Sequence, residues 1–342
     1  MNSSMFLAGL LANALVAWGG AALVARNAAR LGLVQMPNHR SSHVRPTPQG
    51  GGSGIVVAGV LSGWMLGAGQ AAPWWGTVLV GVAVAAIGAW DDVRQISARL
   101  RFVAHIAAIG VLLWLQAPLV PVGVGAGLVL GGPALALLLL LAGVWWINLF
   151  NFMDGIDGLA GSQAVFMLAG ACVLALCAHP ASFATPAWWY MAWIAAACLG
   201  FLVVNWAPAR IFMGDVGSTY LAFAMFALAM ATVHAGWLNY PAWLILAALF
   251  VCDATMTLLQ RMGTGQRWAD AHRSHVYQRL SRRYASHARV TALYMAVNVV
   301  WLAPLAYCAL AFSRFAWFAV IVAYVPLLCV AWRLRAGLPD KI

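Results

Sequence analysis

Asparagine and aspartate recur at every third position in one short segment of the chain. The four residues are Asn148, Asn151, Asp154 and Asp157, and a glycine follows each aspartate. Steps of three residues advance by about 300° on an α-helix, so the four side chains would cover one broad helix face. Capping of a loop by Asn or Asp would explain one or two of these residues, but not the whole column. We therefore expect the column to bind a polar ligand.

Three further acidic residues have neighbours that favour a bound cation. Asp91 and Asp92 are adjacent, and two neighbouring carboxylates repel each other unless a cation or a proton compensates. Asp215 lies between glycines in the sequence Gly-Asp-Val-Gly-Ser, a pattern equally typical of a helix N-terminus. Hard cations such as Mg²⁺ take one or two carboxylates together with substrate phosphate oxygens. The acids together therefore predict a cation site.

Two predicted loops combine arginine with histidine. Cationic side chains bind phosphate, and so do the backbone N–H groups of a glycine-rich turn such as residues 50–54. A glycine run alone is more typical of a flexible entry to a helix, and zinc would need more ligands at set spacing. We expect these basic residues to contact an anionic substrate. They are Arg40, His43 and Arg45 in the first loop, and His272, Arg273 and His275 in the second.

Membrane-spanning helices must position these residues. Of the 342 residues, 64% are hydrophobic and 8% are charged, whereas soluble domains carry about a quarter charged residues. This composition excludes both an ordinary cytosolic enzyme and a disordered chain. We predict an all-α, polytopic integral membrane protein with eleven transmembrane helices, or ten if one apolar run is re-entrant. The apolar runs lie near residues 5–25, 54–71, 74–90, 102–120, 127–147, 162–178, 188–206, 218–234, 241–259, 290–311 and 315–332.

The basic residues predict the orientation of these helices. With eleven spans and the N-terminus outside, every Lys and Arg except Arg314 lies in an inside loop or in the C-terminal tail, as the positive-inside rule requires. Among the aspartates, only Asp253 is embedded in an apolar run. We predict one transmembrane domain over residues 1–342, with a periplasmic N-terminus, a cytoplasmic C-terminus and its chemistry on the cytoplasmic face. The predicted inside loops are 26–53, 91–101, 148–161, 207–217 and 260–289.

The charge and the cysteines restrict the partners. A formal net charge of +11 fits attraction to anionic membrane lipid and to an anionic substrate. We expect no nucleic-acid partner, because the basic residues are tethered at a membrane surface. The six cysteines lie in apolar runs without metal-type spacing, so they predict neither a disulfide framework nor a metal site.

The motifs resemble those of the polyprenyl-phosphate N-acetylhexosamine-1-phosphate transferase family, which includes the phospho-muramoyl-pentapeptide translocase of peptidoglycan synthesis. The resemblance covers roughly positions 37–283, and the motifs occur in the family's order. The first loop looks like that of the branch that starts O-antigen and other surface glycans. The peptidoglycan branch has a lysine in this loop and three consecutive histidines, and this sequence lacks both. The matching motifs are Asp91-Asp92, the Asn-x-x-Asn-x-x-Asp-Gly-x-Asp-Gly signature from Asn148 to Gly158, and the Gly-Asp-x-Gly-Ser block from Gly214 to Ser218.

The resemblance implies an enzyme that transfers N-acetylhexosamine-1-phosphate from a UDP-sugar to undecaprenyl phosphate and releases UMP. The reaction would depend on Mg²⁺, with Mn²⁺ as the alternative cation, at the cytoplasmic face of a bacterial inner membrane. A homodimer is compatible with the resemblance. Asp215 would bind the metal, and Asp91 would be the base toward the lipid phosphate. Asp92 would either support Asp91 or approach the metal.

In the same hypothesis, Asn151, Asp154 and Asp157 hold the uridine and the ribose. The histidine loop, with His272 and His275, contacts the diphosphate or the sugar. GlcNAc, FucNAc and QuiNAc are all compatible with the sequence.

Three alternatives stay open at this point. The first is the peptidoglycan enzyme of the same family. The second is a secondary transporter or lipid flippase, which predicts acids near the membrane midplane, where only Asp253 fits. The third is a non-catalytic membrane scaffold, which offers no reason for acids and asparagines to collect on one face.

Overall fold

The computed structural model describes residues 3–36, 46–125, 127–266 and 272–339, and these residues are predominantly α-helical. Antiparallel pairing joins β1 (Val34–Gln35) to β2 (Thr47–Pro48), and β3 (Val122–Gly125) to β4 (Leu128–Leu130). The helices are α1 (Ser3–Leu31), α2 (Ser53–Leu66), α3 (Ala72–Arg94), α4 (Ala98–Leu115), α5 (Gly132–Met153), α6 (Leu159–Ala178), α7 (Pro186–Asn205), α8 (Asp215–His234), α9 (Tyr240–Gly263), α10 (Val276–Tyr284), α11 (His287–Val297), α12 (Ala303–Ala311) and α13 (Ala316–Arg333).

Ten helical segments of the described chain are long and apolar enough to cross a membrane. A π-helical turn joins α11 to α12, so these two helices form one such segment of 25 residues. The eleventh predicted run corresponds to α2, whose 14 residues extend only about 21 Å. The prediction of an all-α, membrane-spanning protein is therefore confirmed, and α2 is the element that separates a count of ten from a count of eleven.

The boundaries of α4 and α5 differ from the predicted runs. The run near 102–120 ends as a helix at Leu115, three residues before Pro118, which lacks an N–H group. The run near 127–147 includes strand β4, so α5 starts at Gly132 and continues to Met153. This shift places the two asparagines of the Asn-Asp column on the last turns of α5.

The centre of the bundle is α8, which packs between α3 and α5. In an 18-residue stretch of α8, 89% of the residues are buried, compared with 22% in α1 and α3. Elsewhere small residues let helices touch through their backbones: a Cβ added at Gly200 would lie 2.0 Å from the carbonyl oxygen of Ala14. The apolar surface that remains exposed belongs to the outer helices, as expected for a protein that meets lipid.

The polar helix ends meet at one end of the bundle. Side chains from the end of α3, the start of α4, the end of α5 and the start of α8 contact one another. The start of α10 contacts the end of α5 through Tyr277 and Phe152. We call this end, formed by residues 91–101, 148–161, 207–217 and 272–289, the polar face. Described parts of four predicted inside loops thus lie at one face, and its assignment to the cytoplasm stays a prediction.

Candidate active site

Asp92, near the end of α3, accepts hydrogen bonds from the start of α8. Its Oδ1 lies 2.9 Å from the backbone nitrogen of Asp215, and its Oδ2 lies 3.0 Å from that of Val216. N–H groups in the first turn of a helix have no acceptor within the helix. Gly214 precedes them with a φ of +76°, and a Cβ there would lie 2.6 Å from the Asp92 carboxylate. Asp92 therefore fixes the backbone that carries Asp215, and its predicted contact with a metal stays a prediction.

Arg101, in the first turn of α4, lies between two carboxylates. Its Nη1 contacts Oδ2 of Asp91 and lies 3.0 Å from Oδ2 of Asp215. The Arg101 side chain is 32% exposed, whereas those of Asp91 and Asp215 are 10% and 23% exposed. The guanidinium offsets the repulsion that two close carboxylates would otherwise experience. The Asp91-Asp92 pair and the Gly-Asp-Val-Gly-Ser block therefore meet around the guanidinium of Arg101.

The Asn-Asp column reaches the same carboxylate through Asn151. The Nδ2 of Asn151 lies 3.3 Å from Oδ2 of Asp215, and its Oδ1 accepts a hydrogen bond from the Ser218 hydroxyl at 2.9 Å. Ser218 closes the Gly-Asp-Val-Gly-Ser block, one helical turn after Asp215. The structure thus brings together all three acidic motifs that the sequence singles out.

The prediction that the column covers one helix face is wrong for its second half. The helix α5 ends at Met153, so Asp154 caps the helix end and Asp157 lies in the following loop. Gly158 has a φ of +75° at the start of α6, a left-handed conformation that glycine adopts without steric cost. The loop between α5 and α6 therefore replaces the predicted continuous helix.

Asp154 is half-buried, and its carboxylate has no hydrogen-bond partner among the described residues. Partial burial raises the pKa of Asp154 well above its usual range, and the charges of Asp215, Asp92 and Asp157 add to this effect. A carboxylate without a partner among the described residues, beside other acids, could bind a cation or the substrate.

Asp157 joins three segments of the polar face. Its Oδ2 accepts a hydrogen bond from the backbone of Ala209 at 3.0 Å, and its Oδ1 lies 3.2 Å from Nδ1 of His287. Its carbonyl oxygen accepts from the Thr291 hydroxyl at 3.0 Å. Asp157 therefore ties the loop after α5 to loop 207–217 and to α11. Its contact with uridine or ribose stays a prediction.

Asn148 lies one turn deeper in α5 than Asn151. Its Nδ2 donates to the carbonyl of Val144 at 2.7 Å and lies 3.4 Å from Nδ1 of His105 on α4. The structure thus places Asn148 against α4 and not in the cluster around Asp215. Its predicted role in substrate binding stays a prediction.

His275 caps α10, and Asp253 on α9 accepts the hydrogen bonds of this cap. The Oδ1 of Asp253 lies 2.9 Å from the backbone nitrogen of Val276, and its Oδ2 accepts from the nitrogen of Tyr277 at 3.1 Å and from the hydroxyl of Tyr294 at 2.9 Å. The Nδ1 of His275 lies 3.3 Å from Oδ1. The Asp253 side chain is 3% exposed and well satisfied. Asp253 therefore anchors α10 to α9.

Tyr277 connects this anchor to the loop after α5. Its hydroxyl donates to the carbonyl of Phe152 at 2.9 Å. The same hydroxyl fills the space beside Gly155, where an added Cβ would lie 2.0 Å from it. Burial, together with the charges of Asp253 and Asp154, raises the pKa of Tyr277 well above its usual range, so the hydroxyl stays a donor. The close approach that Gly155 permits is therefore made by Tyr277 of the protein itself.

His272 is the outer member of a stack of three rings. Its ring centroid lies 4.9 Å from that of His275, which in turn lies 5.5 Å from Tyr277. The Ser274 hydroxyl lies 3.0 Å from Nδ1 of His272. Burial, with the charges of His275 and Arg261, lowers the pKa of His272 to about 4, so the ring is neutral near pH 7. With Nδ1 accepting from Ser274, the proton is assigned to Nε2, which can donate to a phosphate or sugar oxygen.

Four predicted substrate contacts receive no test from this geometry. Arg40, His43 and Arg45 lie outside the described residues. Arg273 is exposed beside His272, and its carbonyl oxygen accepts a hydrogen bond from Arg282 at 2.9 Å. The contacts of these four residues with an anionic substrate stay predictions.

The glycine run that follows the first loop has a structural use. The backbone nitrogens of Gly51 and Gly52 donate to the carbonyls of Phe212 and Met213 at 2.9 and 2.8 Å. A Cβ added at Gly52 would lie 2.3 Å from Cα of Gly217. These two N–H groups therefore fix the backbone just before the Gly-Asp-Val-Gly-Ser block. They are not available to bind a phosphate.

The donor atoms of the site fit a hard cation. In the described part of the chain, no three His, Cys or acidic side chains converge as metal ligands. Mg²⁺ needs only one or two carboxylates when substrate phosphates complete its shell. Asp215, which already faces a positive guanidinium, and Asp154, which has no described partner, supply such oxygens. Binding of Mg²⁺ or Mn²⁺ stays a prediction.

Comparison with known proteins assigns the family. The profile of glycosyl transferase family 4 matches residues 74–233, which run from α3 to α8. A decaprenyl-phosphate N-acetylglucosaminephosphotransferase of Mycobacterium tuberculosis is 31% identical over 311 residues, which cover 80% of this chain and 75% of the relative. The chain belongs to glycosyl transferase family 4. This membership confirms the resemblance drawn from the motifs and the prediction of a phosphotransferase.

Two further relatives show how much of this chain the similarity covers. The decaprenyl-phosphate N-acetylglucosaminephosphotransferase of Mycobacterium leprae is 30% identical over 331 residues, which cover 86% of this chain and 81% of the relative. A phospho-N-acetylmuramoyl-pentapeptide-transferase of Synechococcus sp. is 32% identical over 221 residues, which cover 60% of this chain and 59% of the relative. The similarity to the peptidoglycan enzyme thus extends over less of the chain.

Sequence reasoning missed Arg101 and Tyr277 as parts of the site. In the sequence, Arg101 contributes only to the distribution of positive charge. It ends the predicted inside loop that Asp91 begins, and this shared loop was a signal that the two residues could meet. Tyr277 carried no such signal, because its hydrogen bond to Phe152 joins residues 125 positions apart.

Proposed function

We propose that the protein transfers N-acetylhexosamine-1-phosphate from a UDP-N-acetylhexosamine to a polyprenyl phosphate. An oxygen of the lipid phosphate attacks the phosphorus that carries the sugar, the bond from that phosphorus to the bridging oxygen breaks, and UMP leaves. The observation that carries this proposal is the convergence of Asp91, Asp215 and Asn151 around Arg101. Family membership and the names of the relatives agree with it.

Arg101 supports the reaction by charge. The two substrates are anions that repel each other, and phosphoryl transfer depends mainly on positioning and neutralisation of charge. At 32% exposure, the guanidinium is accessible to a phosphate.

Asp91 is the candidate base toward the lipid phosphate. The second pKa of a phosphate monoester is about 6, so this phosphate is already mostly ionised at neutral pH. A base therefore adds little, and the main effect of Asp91 is to hold Arg101 in place.

Asp215 would hold Mg²⁺, with Asp154 as a second oxygen donor. When bound, this ion neutralises the diphosphate and stabilises the leaving UMP. Asp92 keeps Asp215 at its position through two backbone hydrogen bonds. Asn151 holds the Asp215 carboxylate from the other side and is itself oriented by Ser218.

The finer parts of the proposal rest on the first loop and on the distribution of basic residues. We infer that the lipid is undecaprenyl phosphate and that the site faces the cytoplasm at a bacterial inner membrane. The product would start an O-antigen or another surface glycan, and the protein would act as a monomer or a homodimer. A transporter is disfavoured, because Asp253, the acid that supported it, anchors α10.

A UMP-release assay with the purified protein in detergent tests the reaction. It combines undecaprenyl phosphate with a panel of UDP-N-acetylhexosamines, with and without Mg²⁺. We expect UMP release only when lipid and Mg²⁺ are both present, and loss of release in Asp215→Asn. Arg314→Gln, on the short turn between α12 and α13, is the matched control and should keep full activity. UMP release without lipid, or silence across the whole panel, would contradict the proposal.

A further inference from the structure

The chain does not leave the bundle where α13 ends. Residues 334–338, which we call the C-terminal strap, turn back onto the histidine loop. The backbone nitrogen of Gly337 donates to the carbonyl of Ser274 at 2.9 Å, and the carbonyl of Gly337 accepts from Nε2 of Gln266 at 3.1 Å. Arg279 on α10 contacts the carbonyl of Leu338. The strap therefore bridges the end of α9 and the start of α10.

The path of the strap requires a glycine. Gly337 has a φ of +79°, and a Cβ there would lie 2.4 Å from the carbonyl oxygen of Thr257 and 3.1 Å from Cβ of Gln260. Both belong to α9, whose backbone cannot give way. Ala336, the preceding residue, is fully buried. The strap is thus seated in a fitted position and is not a loose tail.

The strap reaches His272 through a single residue. Ser274 receives the N–H of Gly337 on its carbonyl oxygen, and its hydroxyl meets Nδ1 of His272 at 3.0 Å. The end of the histidine loop that leads into α10 is fixed by Asp253, which accepts a hydrogen bond from the backbone of Val276. Ser274 is therefore the point at which the strap sets the orientation of the His272 ring.

We propose that the C-terminal strap is a positioning element of the active site: through Ser274 it holds His272 so that Nε2 donates to the UDP-sugar. This inference rests on the proposed function and adds the part of the chain that orients the donor contact. The strap touches no reacting atom. Its release should therefore weaken binding of the UDP-sugar in the ground state and the transition state alike.

Gly337→Val, compared with Gly236→Val, separates displacement of the strap from backbone strain. Gly236 has a φ of +72° in the turn between α8 and α9, and nothing lies within 4 Å of an added Cβ. Both variants therefore carry a β-branched residue at a positive φ, but only Gly337→Val collides with α9. The turn after α8 lies at the end of the bundle away from the polar face.

We expect Gly337→Val to raise the KM for the UDP-sugar on the order of tenfold, the size expected for one hydrogen bond to a charged group. The kcat should change less, and Gly236→Val should match the wild-type protein. A second measurement needs no activity: limited trypsin digestion should cleave after Arg273 several times faster in Gly337→Val, because Ser274 has lost its restraint.

The outcomes separate the strap from the reaction. Unchanged KM and unchanged cleavage after Arg273 in Gly337→Val would overturn the positioning role. So would faster cleavage at every arginine, since that result reports general unfolding. Silence of the wild-type protein on all UDP-sugars would count against the proposed function, while the cleavage rates would still decide whether the strap holds the histidine loop.

Discussion

Asp215 and Asp253 belong to neighbouring helices of the same bundle, yet their carboxylates are satisfied to different degrees. Asp253 is 3% exposed, and backbone N–H groups, a tyrosine hydroxyl and a histidine surround it. Asp215 is 23% exposed, and one of its two oxygens contacts Arg101 and Asn151. A satisfied acid holds structure, whereas an acid with spare acceptor capacity can bind a ligand. Asp253 lies inside an apolar run and Asp215 just before one, but this difference does not reveal which carboxylate is satisfied.

The sharpest test of this comparison removes one charge from each acid. Asp215→Asn should lower kcat on the order of a thousandfold, because the carboxylate that would hold Mg²⁺ beside the transferring phosphate is lost. Asp253→Asn should instead destabilise the fold by about 3 kcal/mol, because an amide N–H₂ would face backbone N–H donors in a buried site. UMP release and thermal unfolding in detergent measure the two effects.

Each variant serves as the control for the other. Asp215→Asn should unfold within a degree or two of the wild-type protein, since its carboxylate is partly exposed. An Asp253→Asn protein that unfolds normally but lacks activity would break the comparison, because it would place Asp253 in the chemistry.

Arg101→Gln tests whether the guanidinium occupies the place of a metal. Removal of one positive charge beside Asp91 and Asp215 should tighten binding of Mn²⁺ to the substrate-free protein about tenfold, because two carboxylates are left unneutralised. The KM for polyprenyl phosphate should rise in the same variant. Electron paramagnetic resonance of free Mn²⁺ gives the affinity without any turnover.

Arg94→Gln is the matched control, since Arg94 is exposed in the last turn of α3 and has the same charge. Equal Mn²⁺ affinities of the two variants would show that only the overall charge of the polar face matters.

Asp154→Asn should give the smallest effect. The pKa of Asp154 is raised in the folded protein, so the unfolded chain releases its proton first, near its ordinary pKa of about 4. Above that pH the folded state binds more protons than the unfolded state, and its stability falls as the pH rises. Asp154→Asn should therefore raise the unfolding temperature at pH 7.5 and leave it unchanged at pH 4. If Asp154→Asn raised the unfolding temperature only at pH 4, that result would contradict the raised pKa of Asp154.

Sequence reasoning located the acidic motifs correctly but not how they are used. The spacing of Asp91, Asp154 and Asp215 was enough to predict one shared face, because alternating spans return to the same side. The spacing was not enough to predict the end of α5 at Met153, since the repeat of three continues from the helix into the following loop. The left-handed Gly158 then starts α6.

The strap and the Asp253 anchor were beyond sequence reasoning for a different reason. Gly337 and Ser274 are 63 positions apart in number, and neither belongs to a recognisable motif. Their contact depends on how α13 and α9 pack, which composition and periodicity do not specify. Asp253 stood out as an embedded acid, but its partners became visible only once α10 was in place.

The placement of Arg101 between two carboxylates has a thermodynamic consequence. A cation bound to Asp215 would compete with Arg101 for the carboxylate and would free the guanidinium for an incoming phosphate. A phosphate that draws Arg101 away leaves Asp215 more negative and more attractive to the cation. The two binding events are then linked by a single coupling free energy, and each must increase the affinity of the other by the same factor. The cation and the phosphate would thus fill the site cooperatively through the charge of Arg101 alone.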